Sequence, residues 1–331
     1  MKLYFLLFFL YASDCSAQLN QSQFDATMQQ ISSNDQKKAL ATLESLEKKM
    51  PNDSKVIFLR GMYSFRDGDL NLALLKFSNA INADANFALA YASRGQVLAL
   101  KGKLDKAISD VSIAIKIEPK NADFTRLRSS IYNQNNQIDK AFEDVKILIV
   151  LEPNNIMGYY DAAVFSKLID KNYDADQFFT QAYGNKAITK YVTDVLFAKF
   201  LLVQNRFEEA KVKYEAALLV AENEFGDEDF HNAALVFYKT KEYDKAVLYF
   251  NKAITLNPAA VNYYTNLASV YTDLKDWQKV KETAQKALSA DDKNPMANMY
   301  MAIGLKFTGH ETEAIEYQNK AKKLEEEQKN N

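Results

Sequence analysis

The chain holds two histidines, His231 and His310, and a single cysteine, Cys15. These side chain types most often serve acid–base work, metal ligation or nucleophilic attack. Their placement here argues against all three. The histidines lie far apart in sequence and cannot form a local metal pair. One cysteine allows no intrachain disulfide, no CxxC pair and no cysteine-based metal site. The sequence contains no GxGxxG, no GxxxxGK[ST], no GxSxG and no HExxH. Glu325-Glu326-Glu327 reads as a solvated helix end, His310 as a turn residue, and Trp277 as a packing residue. The residues therefore predict no catalytic centre, no cofactor and no metal. What remains is recognition by hydrogen bonding and apolar contact, which depends on how a scaffold lays out its side chains.

That scaffold is visible as a ladder of small residues. Ala39, Ala73, Ala107, Ala141, Ala175, Ala210, Ala246, Val280 and Ala314 follow one another at gaps of 34, 34, 34, 34, 35, 36, 34 and 34 residues. A fixed period of this size is the mark of a repeat array, which offers one long surface rather than one pocket. With the ladder residue placed at position 20, nine repeats start near 20, 54, 88, 122, 156, 191, 227, 261 and 295.

Other positions recur with it. Position 8 is small in most repeats, as in Gly61, Gly95, Ala163, Ala198, Ala234, Ala268 and Ala302. Position 27 is alanine or leucine throughout, and position 32 is proline at Pro51, Pro119, Pro153 and Pro258. Position 17 is large and apolar in six repeats, among them Leu70, Phe207 and Trp277, and position 24 is often aromatic, as in Phe77 and Phe250. Small residues at 8, 20 and 27 let helices approach, and large ones at 17 and 24 fill the space beside them. Turn residues such as Asp67-Gly68-Asp69 and Asn135-Asn136 separate two helices within each repeat. Proline at 32 ends the second helix, because it lacks an amide donor and excludes the preceding residue from helix.

Composition agrees. The chain has 331 residues, 48% apolar, with only nine glycines and five prolines, which suits long helices joined by short turns. Forty-one basic and 43 acidic residues are well mixed and leave a net charge of −2. No basic patch stands out, so nucleic acid is not an expected partner.

Residues 1–17 read as a secretory signal: Lys2, then an apolar run from Leu3 to Ala12, then small and polar residues. The run is too short to cross a bilayer, which takes about 20 residues, so no transmembrane segment is expected. The expected cut follows Ala17, leaving Gln18 first and no cysteine in the mature chain. A lipoprotein signal acylated at Cys15 is the rival; Asp14 stands where a small neutral residue is usual. In a bacterium this places the chain in the periplasm or cell envelope, and otherwise it is secreted. In a eukaryote, Asn20 and Asn52 would be glycosylation candidates.

The pattern resembles the tetratricopeptide repeat family. The seventh repeat carries Phe230-x2-Ala233-Ala234-x2-Phe237, then Ala246-x3-Phe250 and Pro258. The second carries Gly61, then Ala73-x3-Phe77-x2-Ala80. The resemblance covers residues 20 to 328 and implies an all-α fold, a right-handed α-solenoid of about nine helix-turn-helix repeats. Departures are Gln30 and Gln36 in the first repeat, Val280 in the eighth, and insertions near Tyr183–Lys190 and Asn223–Gly226, where local irregularity is expected. The polar segment from Lys320 to Asn331 suits a terminal cap.

The resemblance also implies a site. In this family the first helices line a groove, with positions 2, 5, 9 and 12 facing a bound peptide. Carried over, these give Phe24, Met28, Ile31, Phe58, Met62 and Phe65 at an apolar end. Asp123, Arg126, Ser130 and Asn133 follow, suited to an extended backbone. Met157, Tyr160, Lys167, His231, Leu235 and Tyr238 complete the set. The apolar members are equally placed to pack between repeats. A subset of the family grips chaperone C-termini through Lys-x3-Asn and Lys-x3-Arg on first helices. Here Lys-x3-Arg is absent and Lys-x3-Asn occurs only at Lys48–Asn52, in a turn, so that role is not expected. The leading expectation is an exported, non-enzymatic scaffold that binds a protein or peptide in an envelope complex. The alternative is capture of a glycan or other small ligand.

Overall fold

The computed structural model describes residues 18–33, 35–170 and 172–329. The expected signal over 1–17, the cut after Ala17 and Cys15 lie outside the described residues. Among those described, 18 α-helices and one short 3₁₀ segment occur, with no strand. The first four repeats contribute α1 (Gln21–Ser32), α2 (Gln36–Lys49), α3 (Ser54–Arg66), α4 (Leu70–Ala83), α5 (Ala88–Leu100), α6 (Leu104–Ile117), α7 (Ala122–Gln134) and α8 (Ile138–Leu151). The fifth and sixth give α9 (Ile156–Ile169), α10 (Asp176–Gly184), α11 (Lys190–Val203) and α12 (Phe207–Ala221). The last three give α13 (Asp227–Lys239), α14 (Tyr243–Leu256), α15 (Val261–Asp273), α16 (Trp277–Ala290), α17 (Pro295–Phe307) and α18 (Glu311–Lys329).

The ladder is the seam of each helical pair. Ala39, Ala73, Ala107, Ala141, Ala210, Ala246 and Val280 are fully buried, with Ala175 and Ala314 nearly so. A methyl group there lets the backbone of the partner helix come close, and a larger side chain would push it away. Phe77, Phe179, Tyr214 and Phe250 at position 24 are fully buried and fill the volume beside the small residues. Trp277 opens α16, half-buried and stacked on Phe307 with ring centroids 4.2 Å apart.

Turns within seven of the repeats share one geometry. Position 15 is left-handed at Gly68, Gly102, Asn136, Asn205, Lys241, Lys275 and Gly309. The residue after it donates its amide back five residues, as Asp69 does to Ser64 and Asp276 to Tyr271, both at 2.9 Å. This satisfies a carbonyl that the first helix leaves open at its end. Pro51, Pro119, Pro153 and Pro258 each follow the last residue of a second helix by two. Asp53, Asp69, Asn121, Asp276 and Asn294 accept amide hydrogens at the starts of α3, α4, α7, α16 and α17.

The fifth repeat departs further than its spacing suggests. Its second helix has nine residues, where α4, α6, α8, α14 and α16 each have 14. Ala175 caps α10 instead of lying inside it. The reason is local: position 17 is Asn172, and Asp170, Asn172 and Asp174 offer side-chain bonds that compete with helix. Asp170 indeed accepts the Asn172 amide at 2.9 Å. The two insertions fall where expected, as the link from α10 to α11 and as the 3₁₀ segment Glu222–Glu224.

The described residues group into two compact regions, and the division falls inside α9. Residues up to Pro153 with Phe165–Tyr173 form the amino-terminal region; Asn154–Val164 with Asp174 onward form the carboxy-terminal one.

Candidate functional site

In the amino-terminal region, the apolar end predicted for recognition is mostly core. Phe58 is fully buried, its ring 5.0 Å from Phe87, 5.3 Å from Phe77 and 5.9 Å from Phe24. Phe24 and Ile31 are buried with it. The cause is aromatic density: four rings close on one another, which removes more apolar area from water than facing a groove would. Phe58, Phe24 and Ile31 are thus corrected from exposed contacts to packing residues. Met28, Met62 and Phe65 are half-buried at the margin of this cluster and keep part of their surface.

The polar row is different. Positions 123, 126, 130 and 133 fall on one face of α7, and all four side chains are exposed. Arg126 donates through Nη1 to Asp123 Oδ1 and through Nη2 to Glu152 Oε2, each at 2.5 Å. Burial works against its charge, but the bonds to Glu152 and Asp123 outweigh this and hold the guanidinium more firmly protonated than usual. Ser130 and Asn133 are exposed on the same helix face. Together they present hydroxyl, amide and guanidinium donors on one helix face.

A second arrangement escapes a reading by groove positions. Arg94 donates from Nε and Nη2 to Asp110 at 2.7 and 2.8 Å, and from Nη1 to Ser78 at 3.2 Å. One repeat later, Arg128 does the same to Asp144 at 2.8 and 2.6 Å and to Ser112 at 3.2 Å. Each arginine ties both helices of its own repeat to the second helix of the repeat before. Hydrogen bonding to the aspartate raises each guanidinium above its ordinary pKa, against the cost of burial. The signal in the sequence was serine, arginine and aspartate at successive steps of 16, recurring after 34.

In the carboxy-terminal region, two of the predicted residues, His231 and Tyr238, bind the following repeat. His231 is buried, stacked on Tyr263 with centroids 4.6 Å apart, and its Nε2 lies 2.8 Å from Asn266 Nδ2. Burial lowers its pKa, against the pull of Asn232, Glu228 and Asp227, so the ring favours the neutral form. Tyr238 donates to Asp273 Oδ2 at 2.9 Å and shares a 2.9 Å bond with Ser269. Tyr160 is half-buried, its ring 6.5 Å from Phe179, and burial raises its hydroxyl. Met157 is exposed and Leu235 half-buried. Lys199 and Glu228 pair at 2.5 Å on α11 and α13. His310 sits exposed in the turn before α18, as expected. Among the described residues, no group of three or more His, Cys, Asp or Glu is placed to hold a metal ion, and no helix is long and apolar enough to cross a membrane.

A stack of helical pairs with a common turn, a buried small-residue seam and side chains displayed from first helices defines a helical-repeat scaffold. Models of the tetratricopeptide repeat match residues 228–260 and 261–294. Residues 228–294 therefore match tetratricopeptide repeats, and the fold of the described residues is an all-α solenoid like that of such proteins. Residues of the chain are 36% identical over 62 positions to "Stress-induced-phosphoprotein 1" of Caenorhabditis elegans, covering 19% of this chain and 18% of that protein. They are 32% identical over 79 positions to "Translocon at the outer membrane of chloroplasts 64" of Pisum sativum, covering 24% of this chain and 13% of that one. The chain thus spans less than a fifth of either relative. In structure it is similar to a tetratricopeptide repeat protein of Parabacteroides merdae, with TM-score 0.54, 16% identity, and coverage of 76% of this chain and 98% of that one. It is also similar to the APC/C hetero-tetramer Cut9–Hcn1, with TM-score 0.51, 17% identity, and coverage of 87% and 49%. At these identities the likeness is one of fold.

Proposed function

We propose that this chain is an exported, non-catalytic scaffold that holds a protein or peptide segment against the first helices of its repeats, within an envelope complex. The observation that carries the reading is the exposed row on α7. Arg126, Ser130 and Asn133 lie in register on one face, so an extended backbone laid along it meets donors at helical spacing. Paired guanidinium and carboxylate groups at Arg126, Asp123 and Glu152 preorder the row before a partner arrives. Export rests on the signal-like residues 1–17.

The test is a crosslinking pull-down from the native envelope, repeated with Arg126→Glu/Ser130→Ala/Asn133→Ala. These residues are exposed, so the variant stays folded, its thermal unfolding midpoint lowered only by the lost Arg126 pairs with Asp123 and Glu152, and loses the partner. Retention of every partner by the variant removes the α7 row from the proposal. An unfolding shift with an oligosaccharide panel, and no protein recovered, would favour ligand capture instead. Export is tested by the intact mass of the natural protein, which should begin at Gln18.

A further inference from the structure

A cavity of about 660 Å³ opens in the carboxy-terminal region where the insertion lengthens the link between α10 and α11. That size is ordinary for a small-molecule site, about 300–1,000 Å³. Its lining includes the apolar side chains of Ile188, Val212 and Ala216. The lining also includes Asp194, whose buried carboxylate accepts the Tyr183 hydroxyl at 2.5 Å, with Lys213 Nζ at 3.8 Å. Lys213 is further held over the rings of Tyr183 and Phe197, at 4.8 and 5.1 Å from their centroids. The Asp194 charge is therefore already answered from within.

Two further cations line the same cavity, Lys186 and Lys190. Both are exposed, and neither lies within ion-pair distance of a carboxylate among the described residues. Three lysines against one aspartate leave the cavity with a surplus of two positive charges. Lys190 is also the first residue of α11, whose leading amides receive no side-chain cap from Thr189. The helix start adds a further partial positive charge on this side.

We propose that this cavity binds a small organic dianion, a phosphate monoester or a dicarboxylate, carried on a compact apolar body. The dianion balances the surplus charge of Lys186 and Lys190, and the apolar body lies against Ile188, Val212 and Ala216. Two lysines rather than an arginine fork suit a compact, point-like charge. The site is separate from the α7 row and stands or falls independently of it.

Titration calorimetry on the full chain tests this with phenyl phosphate, phthalate and neutral benzyl alcohol as probes. The two anions should bind saturably at one site and benzyl alcohol should not. Phenyl phosphate should bind more tightly as pH rises through about 6, where its second proton is lost. Lys186→Gln/Lys190→Gln should weaken both anions on the order of tenfold or more while leaving thermal unfolding unchanged. Val212→Asp, on an exposed wall position, should weaken them by like-charge repulsion. The control Lys320→Gln/Lys322→Gln, on α18, should bind as the parent does. No saturable anion binding, or equal weakening by the α18 pair, overturns the proposal.

Discussion

Arg128 and Asp144 are clasped by two parallel hydrogen bonds, at 2.8 and 2.6 Å, across the two helices of one repeat. The aspartate side chain is 3% exposed and the arginine 18%. Arg94 and Asp110 repeat the clasp one period earlier. The pair fixes the facing of two helices whose alanine seam alone would tolerate sliding, because a bidentate fork has one good geometry.

Removing one partner of this clasp should be worse than removing both. Arg128→Leu leaves the Asp144 charge buried without its cation, a loss of about 3–5 kcal/mol. Arg128→Leu/Asp144→Leu replaces the pair by apolar packing and should recover most of that loss. Urea unfolding of the two single variants and the double variant measures this. A double variant as unstable as the worse single one would contradict it.

Gly304 predicts the tightness of packing between α16 and α17. A Cβ there would lie 2.7 Å from the Lys281 backbone nitrogen and 2.8 Å from its Cα, so only backbone movement could make room. Gly304→Ala gains about 1 kcal/mol of helix propensity but should lose more to this overlap, for a net cost of about 1–3 kcal/mol. Gly184→Ala, with nothing within 4 Å of its Cβ, should be neutral or stabilising. Thermal unfolding of the two variants should move in opposite directions or differ clearly in size.

Lys275 occupies the left-handed turn position with φ of 58°. That conformation costs a residue with a Cβ about 1–2 kcal/mol. The side chain is exposed, so Lys275→Gly should raise stability by up to about 1 kcal/mol after the greater chain entropy of glycine is set against the relief. The reverse change at the matching site, Gly102→Lys, should lower it. Calorimetric midpoints settle both signs.

His231 should give the fold a pH dependence of known sign. Its folded pKa is depressed, so the unfolded chain binds the extra proton first. The contribution of His231 is complete above the unfolded value of about 6.5 and declines as pH falls from there through the depressed folded value. A neutral ring with its proton on Nδ1 accepts the Asn266 bond; a protonated ring cannot. Between pH 7.5 and 5.5, about one unit on each side of the ordinary histidine value of about 6.5, the parent should lose more stability than His231→Gln. Parallel loss in the two proteins would count against a buried neutral histidine.

The fold was largely legible because it is periodic. A residue every 34 that must be small, beside ones that must be large, leaves few arrangements other than stacked helical pairs, and Ala39, Ala107 and Ala246 are as buried as that logic requires. The positions of the insertions were legible for the same reason. The late start of α10 was less so, since it turns on Asn172 standing where an apolar residue usually sits and on Asp170 accepting its amide.

The candidate site was legible only in part. Periodicity names the face of a helix but not its fate once neighbouring helices arrive. Phe58 and Asn133 both occupy recognition positions, yet Phe58 meets Phe24, Phe77 and Phe87 and is fully buried, while Asn133 stays exposed. His231 and Tyr238 are claimed by Asn266, Ser269 and Asp273 of the following repeat. The sequence by itself determined a helical-repeat scaffold, its register and its turns, because each rests on short-range sterics that recur. The tertiary structure decided which aromatic residues close into a core, which arginines clasp which aspartates, and that Lys186, Lys190 and Lys213 share one cavity. Those outcomes depend on side chains brought together from different helices, where burial and charge are set by neighbours that no local pattern records.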